Sequence, residues 1–327
     1  MAKHRPALAH GWRRAKSLSQ CETRLSGISL EEFLDNDARV PDAAKPRRLD
    51  NRYGGVVRPG RFLRTRAILW GAVFAVVLYL AYMQAARASW ILPVWVQAIV
   101  VPGILLAIYL VAVAALEFRR PEELALAKLL PELVAGLLFG TVLFALVMAV
   151  LVVAGAYTLT GPTPGPPWQP LSISIQSGVA EELVCRGAIM RLLWLAFGPW
   201  WAVAGSSTLF GLFHLANPNA DVVGALILIF EGGPLLAAPY VLTGRLWASI
   251  GVHTAWNFAE GYIFGANVSG WGTGPSLFQA HPVAEAGQIW TGGAFGPEGS
   301  LPAVLFCVLA AAGILTIAAR RRSRRVG

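Results

Sequence analysis

Long apolar segments separated by short polar connections make up most of the chain after residue 66. An apolar helix needs about 20 residues to cross the hydrocarbon core of a bilayer, which is about 30 Å thick. The pattern predicts an all-α fold, a polytopic membrane helical bundle with about eight transmembrane helices. The predicted spans are residues 67–86, 92–116, 132–156, 172–194, 200–217, 222–243, 247–265 and 301–319.

The ends of the chain follow a different pattern. Residues 1–66 are polar and basic and are interrupted by Pro and Gly. Such a composition buries too little apolar surface to fold alone, so it predicts a largely disordered cytoplasmic tail. Residues 67–319 form the predicted membrane domain, and residues 320–327 form a short basic tail.

Composition supports the membrane assignment and removes one alternative. The chain of 327 residues is 56% hydrophobic and only 14% charged, which excludes an ordinary soluble domain. Its net charge of +9 could indicate a nucleic-acid partner. However, more than half of the 27 Lys and Arg residues lie before residue 67, and five more lie in the tail from Arg320. Basic ends beside membrane spans are typical of anchors on anionic lipid, so we expect contact with the lipid bilayer and no nucleic-acid partner.

The loops between the predicted spans give an orientation. The outer connections contain only Arg87, and the loop at residues 266–300 contains no Lys or Arg. By the positive-inside rule, we expect an integral membrane protein with both termini in the cytoplasm. The basic residues of the predicted inner loops are Arg119, Arg120, Lys128, Arg191 and Arg245.

Ionisable residues in the fourth predicted span need an explanation, because each costs roughly 2.5–3.5 kcal/mol at the membrane centre on insertion scales. Glu182 and Arg186 are four residues apart and can pair on one helical face. Glu181 lies about 100° around the helix from Glu182 and can point elsewhere. A structural ion-pair network between helices is an alternative, although a second adjacent glutamate favours a functional role.

Two further predicted spans contain polar residues that suit hydrolysis. His214 lies in the fifth span, and His253 and Asn257 share one face of the seventh. Each could instead be a satisfied core residue or a contact between helices. The predicted limits place His214 near the outer end of its helix and His253 in the inner half, so bringing them together requires tilt or shifted boundaries. The chain has no HExxH pair and no GxSxG elbow.

These motifs resemble those of the CPBP intramembrane endopeptidases, the family of type II CAAX prenyl endopeptidases and bacteriocin-processing (Abi) relatives. The resemblance covers about residues 118–319. Two features depart from the family pattern. Cys185 stands where an aromatic residue is usual, and Glu231 brings a charge and a Gly-Gly-Pro break into the sixth span. The motifs that carry the resemblance are Glu181-Glu182-x-x-x-Arg186, Phe210-x-x-x-His214 and His253-x-x-x-Asn257.

The resemblance implies an intramembrane endopeptidase of the bacterial plasma membrane that acts on a membrane-associated or exported peptide or protein. It implies that Glu181 is the catalytic carboxylate and that Glu182 and Arg186 orient it. His214, His253 and Asn257 would complete the site. In bacterial members it implies peptide maturation, export-signal processing or self-immunity.

Two mechanisms suit these residues. In the first, Glu181 activates a water molecule, and His253 and Asn257 donate hydrogen bonds to the oxyanion. In the second, His214 and His253 hold a divalent metal such as zinc, with Glu181 as base or ligand. The lack of a paired-histidine motif on one helix favours water alone.

Two other functions use the same residue types. Intramembrane Glu, His and Arg also form relays in transporters and proton-coupled carriers. A catalytically silent membrane scaffold could keep the fold and lose the chemistry. The intact set of motif residues favours the endopeptidase over both.

Overall fold

A computed structural model describes residues 54–272 and 274–324, and most of these residues are helical. Two π-helical segments interrupt the α-helices, one at Leu183–Met190 and one at Ala259–Ile263. The α-helices are α1 (Leu63–Ala88), α2 (Val94–Leu116), α3 (Leu129–Val153), α4 (Trp168–Glu182), α5 (Arg191–Phe197), α6 (Pro199–Phe213), α7 (Val222–Phe230), α8 (Gly232–Thr243), α9 (Trp247–Phe258), α10 (Gln288–Thr291) and α11 (Leu301–Ser323). The 3-10 turns are Gly55–Val57, Ser89–Ile91, Glu122–Leu124, Leu126–Lys128, His214–Ala216, Ala284–Ala286 and Pro297–Gly299.

The structure confirms a helical bundle with membrane-spanning character, but it does not confirm eight spans. Each predicted span falls on helical residues. Five helical stretches of the described chain are long and apolar enough to cross a membrane. The three remaining predicted spans, the fourth, fifth and seventh, fall on helical segments that carry the polar site residues. The five stretches are Leu63–Ile91, Val94–Leu116, Glu122–Val153, Val222–Thr243 and Leu301–Ser323.

The structure contains a two-stranded antiparallel sheet that the sequence did not predict. Strand β1 (Tyr157–Thr160) follows α3 and pairs with β2 (Gln279–Pro282), so that Tyr157 lies opposite Pro282. The Tyr157 hydroxyl also donates a hydrogen bond of 2.6 Å to the carbonyl oxygen of Thr291. These contacts tie the 266–300 loop to the end of α3. The pairing joins segments more than 100 residues apart, which a local hydropathy pattern does not register.

The predicted N-terminal tail is described only in part. Residues 1–53, with the disorder predicted for them, lie outside the described residues, as do residues 325–327. Within 54–66, the chain forms the 3-10 turn Gly55–Val57 and the start of α1. Helix α1 begins at Leu63, four residues before the predicted limit of the membrane domain.

Helix α9, which carries two of the predicted site residues, is held by direct backbone contact with α3. A Cβ atom added at Gly136 of α3 would lie 2.3 Å from the carbonyl oxygen of Ala248. One added at Gly140 would lie 2.5 Å from the carbonyl oxygen of Val252, the neighbour of His253. Small residues four apart on a helix permit this close approach in membrane proteins. The Gly136/Gly140 face of α3 therefore fixes the position of α9.

We expect Gly140→Ala to destabilise the protein by about 1–3 kcal/mol, because the added methyl group must push the α3 and α9 backbones apart. Gly103→Ala is the matched control, since Gly103 lies in α2 with no atom within 4 Å of an added Cβ. Its expected effect is neutral or stabilising by up to about 1 kcal/mol, from helix propensity alone. Unfolding of both purified variants in detergent gives the comparison. Equal unfolding midpoints would contradict the contact between the helices.

A buried ion network connects the end of α2 to the first π-helix. The Glu117 carboxylate is completely buried and accepts hydrogen bonds of 2.6 and 2.9 Å from Arg191 and of 2.8 Å from Arg119. Burial alone would raise the pKa of Glu117, but Arg191 and Arg119 outweigh it and hold that pKa below its usual value. The Arg191 guanidinium also donates to the carbonyl oxygen of Gly187, at 2.7 Å. The network therefore anchors the π-helix that follows α4.

Candidate active site

The first π-helix places Cys185 and Arg186 in the core. Helix α4 ends at Glu182, and the wider π turn continues to Met190 without leaving the helical path. Such insertions rotate the residues that follow and are frequent at functional sites. Both side chains are buried, and Ser206 of α6 donates a hydrogen bond of 3.1 Å to the carbonyl oxygen of Cys185. Cys185, the departure from the family motif, therefore packs as a small buried residue.

Arg186 is paired in the core, as the four-residue spacing predicts. Its guanidinium donates a hydrogen bond of 2.9 Å to Oε1 of Glu182, and both side chains are fully buried. A second hydrogen bond of 2.8 Å goes to the carbonyl oxygen of Gly233 at the start of α8. The ring of Phe210 lies against the guanidinium, with its centroid 4.7 Å away. Three helical segments thus converge on one cation.

The two histidines are oriented through their Nδ1 atoms. Nδ1 of His214 lies 2.7 Å from the carbonyl oxygen of Phe210, and Nδ1 of His253 lies 3.0 Å from Oε1 of Glu182. A carbonyl oxygen and a carboxylate oxygen are both acceptors, so each Nδ1 is the protonated nitrogen. In the neutral imidazole, Nε2 then carries a lone pair.

Both Nε2 atoms point at one carboxylate oxygen of Glu181. Oε2 of Glu181 lies 3.8 Å from Nε2 of His214 and 3.6 Å from Nε2 of His253. These separations are too long for direct hydrogen bonds, and this oxygen is buried without a hydrogen-bond partner. The Glu181 side chain is 32% exposed, whereas that of Glu182 is fully buried. Glu182 is thus bonded to Arg186 and His253, while Glu181 is the more exposed of the two glutamates and faces both imidazoles.

Asn257 lies beside the two histidines and is hydrogen-bonded to helix α4. One of its amide hydrogens goes to Oγ of Ser177 on α4, at 3.1 Å. Asn257, His214 and His253 also line one cavity with a volume of about 30 Å³. A cavity of this size, lined by polar side chains, has room for water. The histidines meet because His214 lies at the end of α6, where the chain turns into the 3-10 segment His214–Ala216.

The sequence prediction missed contributions from the 266–300 loop. Glu298 accepts a hydrogen bond of 2.6 Å from Ser269 and one of 3.1 Å from the Trp256 indole, and it lines the same cavity. Its backbone N–H donates to Glu260 at 3.2 Å. The sequence feature that could have indicated this role is the position of the acidic residue Glu298 in a loop that contains no Lys or Arg.

The fit to a metal ion is mixed. Two imidazole nitrogens and a carboxylate oxygen are ligands that zinc accepts. Within residues 54–272 and 274–324, however, no three His, Cys, Asp or Glu side chains are arranged to hold a metal ion. The chemistry of the donors suits zinc, while their arrangement is not that of a metal centre.

Comparison with known proteins agrees with the resemblance. Residues 163–259 match the family described as type II CAAX prenyl endopeptidase Rce1-like. This stretch is less than half of the chain, but it contains every predicted site residue, from Glu181 to Asn257. The match confirms the predicted resemblance, since residues 163–259 are similar to the type II CAAX prenyl endopeptidases, and the apolar helices indicate an integral membrane protein. No curated protein and no solved structure matches the chain.

Proposed function

We propose that the protein is an intramembrane endopeptidase in which Glu181 activates the water that hydrolyses a peptide bond. The observation that carries this proposal is the position of the unpartnered Oε2 of Glu181 between two imidazole Nε2 atoms. A water molecule that donates one hydrogen to Oε2 of Glu181 and the other to an imidazole Nε2 would satisfy this oxygen, which lies 3.8 and 3.6 Å from the two Nε2 atoms. An arrangement of one carboxylate and two imidazoles is unusual in an apolar helical bundle unless it has a function.

In the proposed reaction, the Glu181 carboxylate takes a proton from this water as its oxygen bonds to the peptide carbonyl carbon. The carbonyl oxygen becomes an oxyanion. The proton then passes to the leaving nitrogen, the C–N bond breaks, and a carboxylic acid and an amine are formed. Glu182 and Arg186 fix the position of His253, while the backbone of Phe210 fixes that of His214.

The oxyanion needs hydrogen-bond donors, and the hydrogen bonds that Asn257 and His253 already make show which of the two can donate. Asn257 uses one amide hydrogen on Ser177 and retains a second. His253 holds its Nδ1 hydrogen on Glu182, so its Nε2 donates to an oxyanion only as the imidazolium. Asn257 is therefore the neutral donor of the pair.

The proposed substrate is a membrane-associated or exported peptide or protein, and the proposed location is the bacterial plasma membrane with both termini in the cytoplasm. The basic ends and the absence of Lys and Arg from residues 266–300 support this orientation. The test of the function is to compare the N-termini of membrane and secreted peptides from cells that carry wild type or Glu181→Gln. A neo-terminus missing only from the variant identifies a substrate. Flux in liposomes that follows a proton gradient, without any peptide product, would favour a carrier instead.

We expect the purified protein to keep its hydrolytic activity after exhaustive chelation of divalent metals, because the proposed step uses only Glu181 and water. The measurement is product formation before and after chelation, with zinc added back to the chelated sample. Metal analysis of the same preparation serves as the control. Loss of activity on chelation and recovery with zinc would replace this mechanism with the metal alternative.

A further inference from the structure

A second group of buried carboxylates lies beside the candidate active site. Glu231, Glu260 and Glu298 are exposed by only 1%, 0% and 3%. They come from three separate parts of the chain. Glu231 lies between α7 and α8, Glu260 in the second π-helix and Glu298 in the 3-10 turn Pro297–Gly299. The fold therefore brings three acids together in its interior.

The hydrogen bonds leave this group with spare acceptor atoms. Glu298 is satisfied by Ser269 and Trp256, and Oε1 of Glu260 accepts from the backbone of Glu298. Oε2 of Glu231 and Oε2 of Glu260 are buried with no hydrogen-bond partner.

The ion pairs leave the group without positive charge. The pairs found in the described part of the chain do not involve any of these three glutamates. A buried carboxyl group without a cation either takes up a proton or binds a ligand that supplies positive charge, so a cationic ligand has to displace that proton.

One of the spare oxygens belongs to a residue that lines a cavity. Glu231 and Glu298 line the same cavity of about 30 Å³ as His214, His253 and Asn257. The acids thus share their space with the proposed catalytic residues. A compact ammonium group suits one unpartnered oxygen better than a planar guanidinium, whose fork of donors matches two acceptor oxygens.

We propose that this cavity is a subsite for a primary ammonium group, with Glu231 as the carboxylate that contacts it. One of the three N–H donors of an ammonium can be accepted by the unpartnered oxygen of Glu231. In the described residues the carboxylates are not arranged to hold a metal ion, which favours an organic cation. Because the subsite opens on the proposed catalytic residues, the ligand in a reaction is a lysine side chain of the substrate peptide. This last step rests on the proposed endopeptidase function, whereas the binding of an ammonium group does not.

The test uses n-butylammonium as the probe and n-butanol as its neutral counterpart, each titrated into the purified full-length protein in detergent. We expect n-butylammonium to bind more tightly than n-butanol, and methylguanidinium to bind weakly. Glu231→Gln should weaken n-butylammonium binding by about tenfold or more, the effect of losing a hydrogen bond to a charged group. Glu285→Gln, the same substitution at an exposed position of the 266–300 loop, should change nothing.

The outcomes separate this subsite from the proposed function. Equal binding of n-butylammonium to wild type and Glu231→Gln, or no preference over n-butanol, would overturn the subsite and leave the role of Glu181 open to its own test. If Glu231→Gln unfolds, the comparison of n-butylammonium with n-butanol on wild type still decides whether the subsite prefers an ammonium group. On a peptide that wild type cleaves, replacing a lysine near the cleavage site with norleucine should raise KM in wild type but have little effect in Glu231→Gln.

Discussion

Replacing Glu181 with glutamine will lower the rate of peptide hydrolysis by about 10²–10⁴-fold, the usual contribution of a general base. The amide retains the shape of the side chain but cannot take a proton from water. The folded state should be unaffected, because Oε2 of Glu181 has no hydrogen-bond partner and Arg186 is paired with Glu182 rather than with Glu181. The measurements are initial rates on a cleaved peptide and the unfolding midpoint of the same preparation.

Glu285→Gln provides the matched control, since it removes a carboxylate of the same type from an exposed position. Its rate should equal that of wild type. Normal product formation by Glu181→Gln would contradict a mechanism in which Glu181 is the general base. If Glu181→Gln and His253→Ala both rescued the phenotype of a deletion strain, a catalytically silent scaffold would become the better interpretation.

The site was predictable where its contacts are local. Glu182 and Arg186 pair because they are four residues apart on one helix, and this pairing holds although the turn beyond Glu182 is a π-helix. The π-helix itself was not predictable, since it depends on partners from distant segments. One such partner is Tyr109 of α2, whose hydroxyl lies 3.0 Å from the carbonyl oxygen of Gly187.

Contacts over long sequence distances account for what the sequence did not predict. The hydropathy pattern located the helices, but it could not foresee that the 266–300 loop folds back to bring Glu298 to Trp256 of α9. It predicted eight spans, of which five coincide with helical stretches long and apolar enough to cross a membrane, and the other three carry the polar site residues. The meeting of His214 and His253 followed from the family motifs rather than from any local pattern.

The partition of charge in this bundle shows why the core tolerates so many ionisable groups. Arg186 neutralises Glu182, and Arg119 and Arg191 neutralise Glu117. Glu181 and Glu231 each keep one buried oxygen without a partner, and both lie beside the proposed reaction. Glu182 and Glu260 also keep one such oxygen, but Glu182 is paired with Arg186, whereas neither Glu181 nor Glu231 has an arginine partner in the described part of the chain.

Replacing Arg186 with methionine will destabilise the protein by about 3–5 kcal/mol, because Glu182 is left as a buried charge without a partner. The same substitution at Arg245 is the control. Arg245 pairs with Glu132 in a more exposed position, where the two side chains are 27% and 14% exposed. Loss of this partly exposed pair should cost less than loss of the fully buried pair, because water can solvate the charge that remains. Unfolding midpoints in denaturant, on protein purified in one detergent, measure both effects.

The double variant Glu182→Gln/Arg186→Met distinguishes a charge effect from a packing effect. If the cost of Arg186→Met comes from the unpaired Glu182, removing that charge as well should restore most of the lost stability. Hydrolysis should remain low, since His253 keeps an acceptor at Nδ1 but loses the charged Glu182–Arg186 pair that fixes its position. Recovery of stability without activity would place this pair in the positioning of His253. No recovery would instead show that the contacts of Arg186 with Gly233 and Phe210 dominate its role.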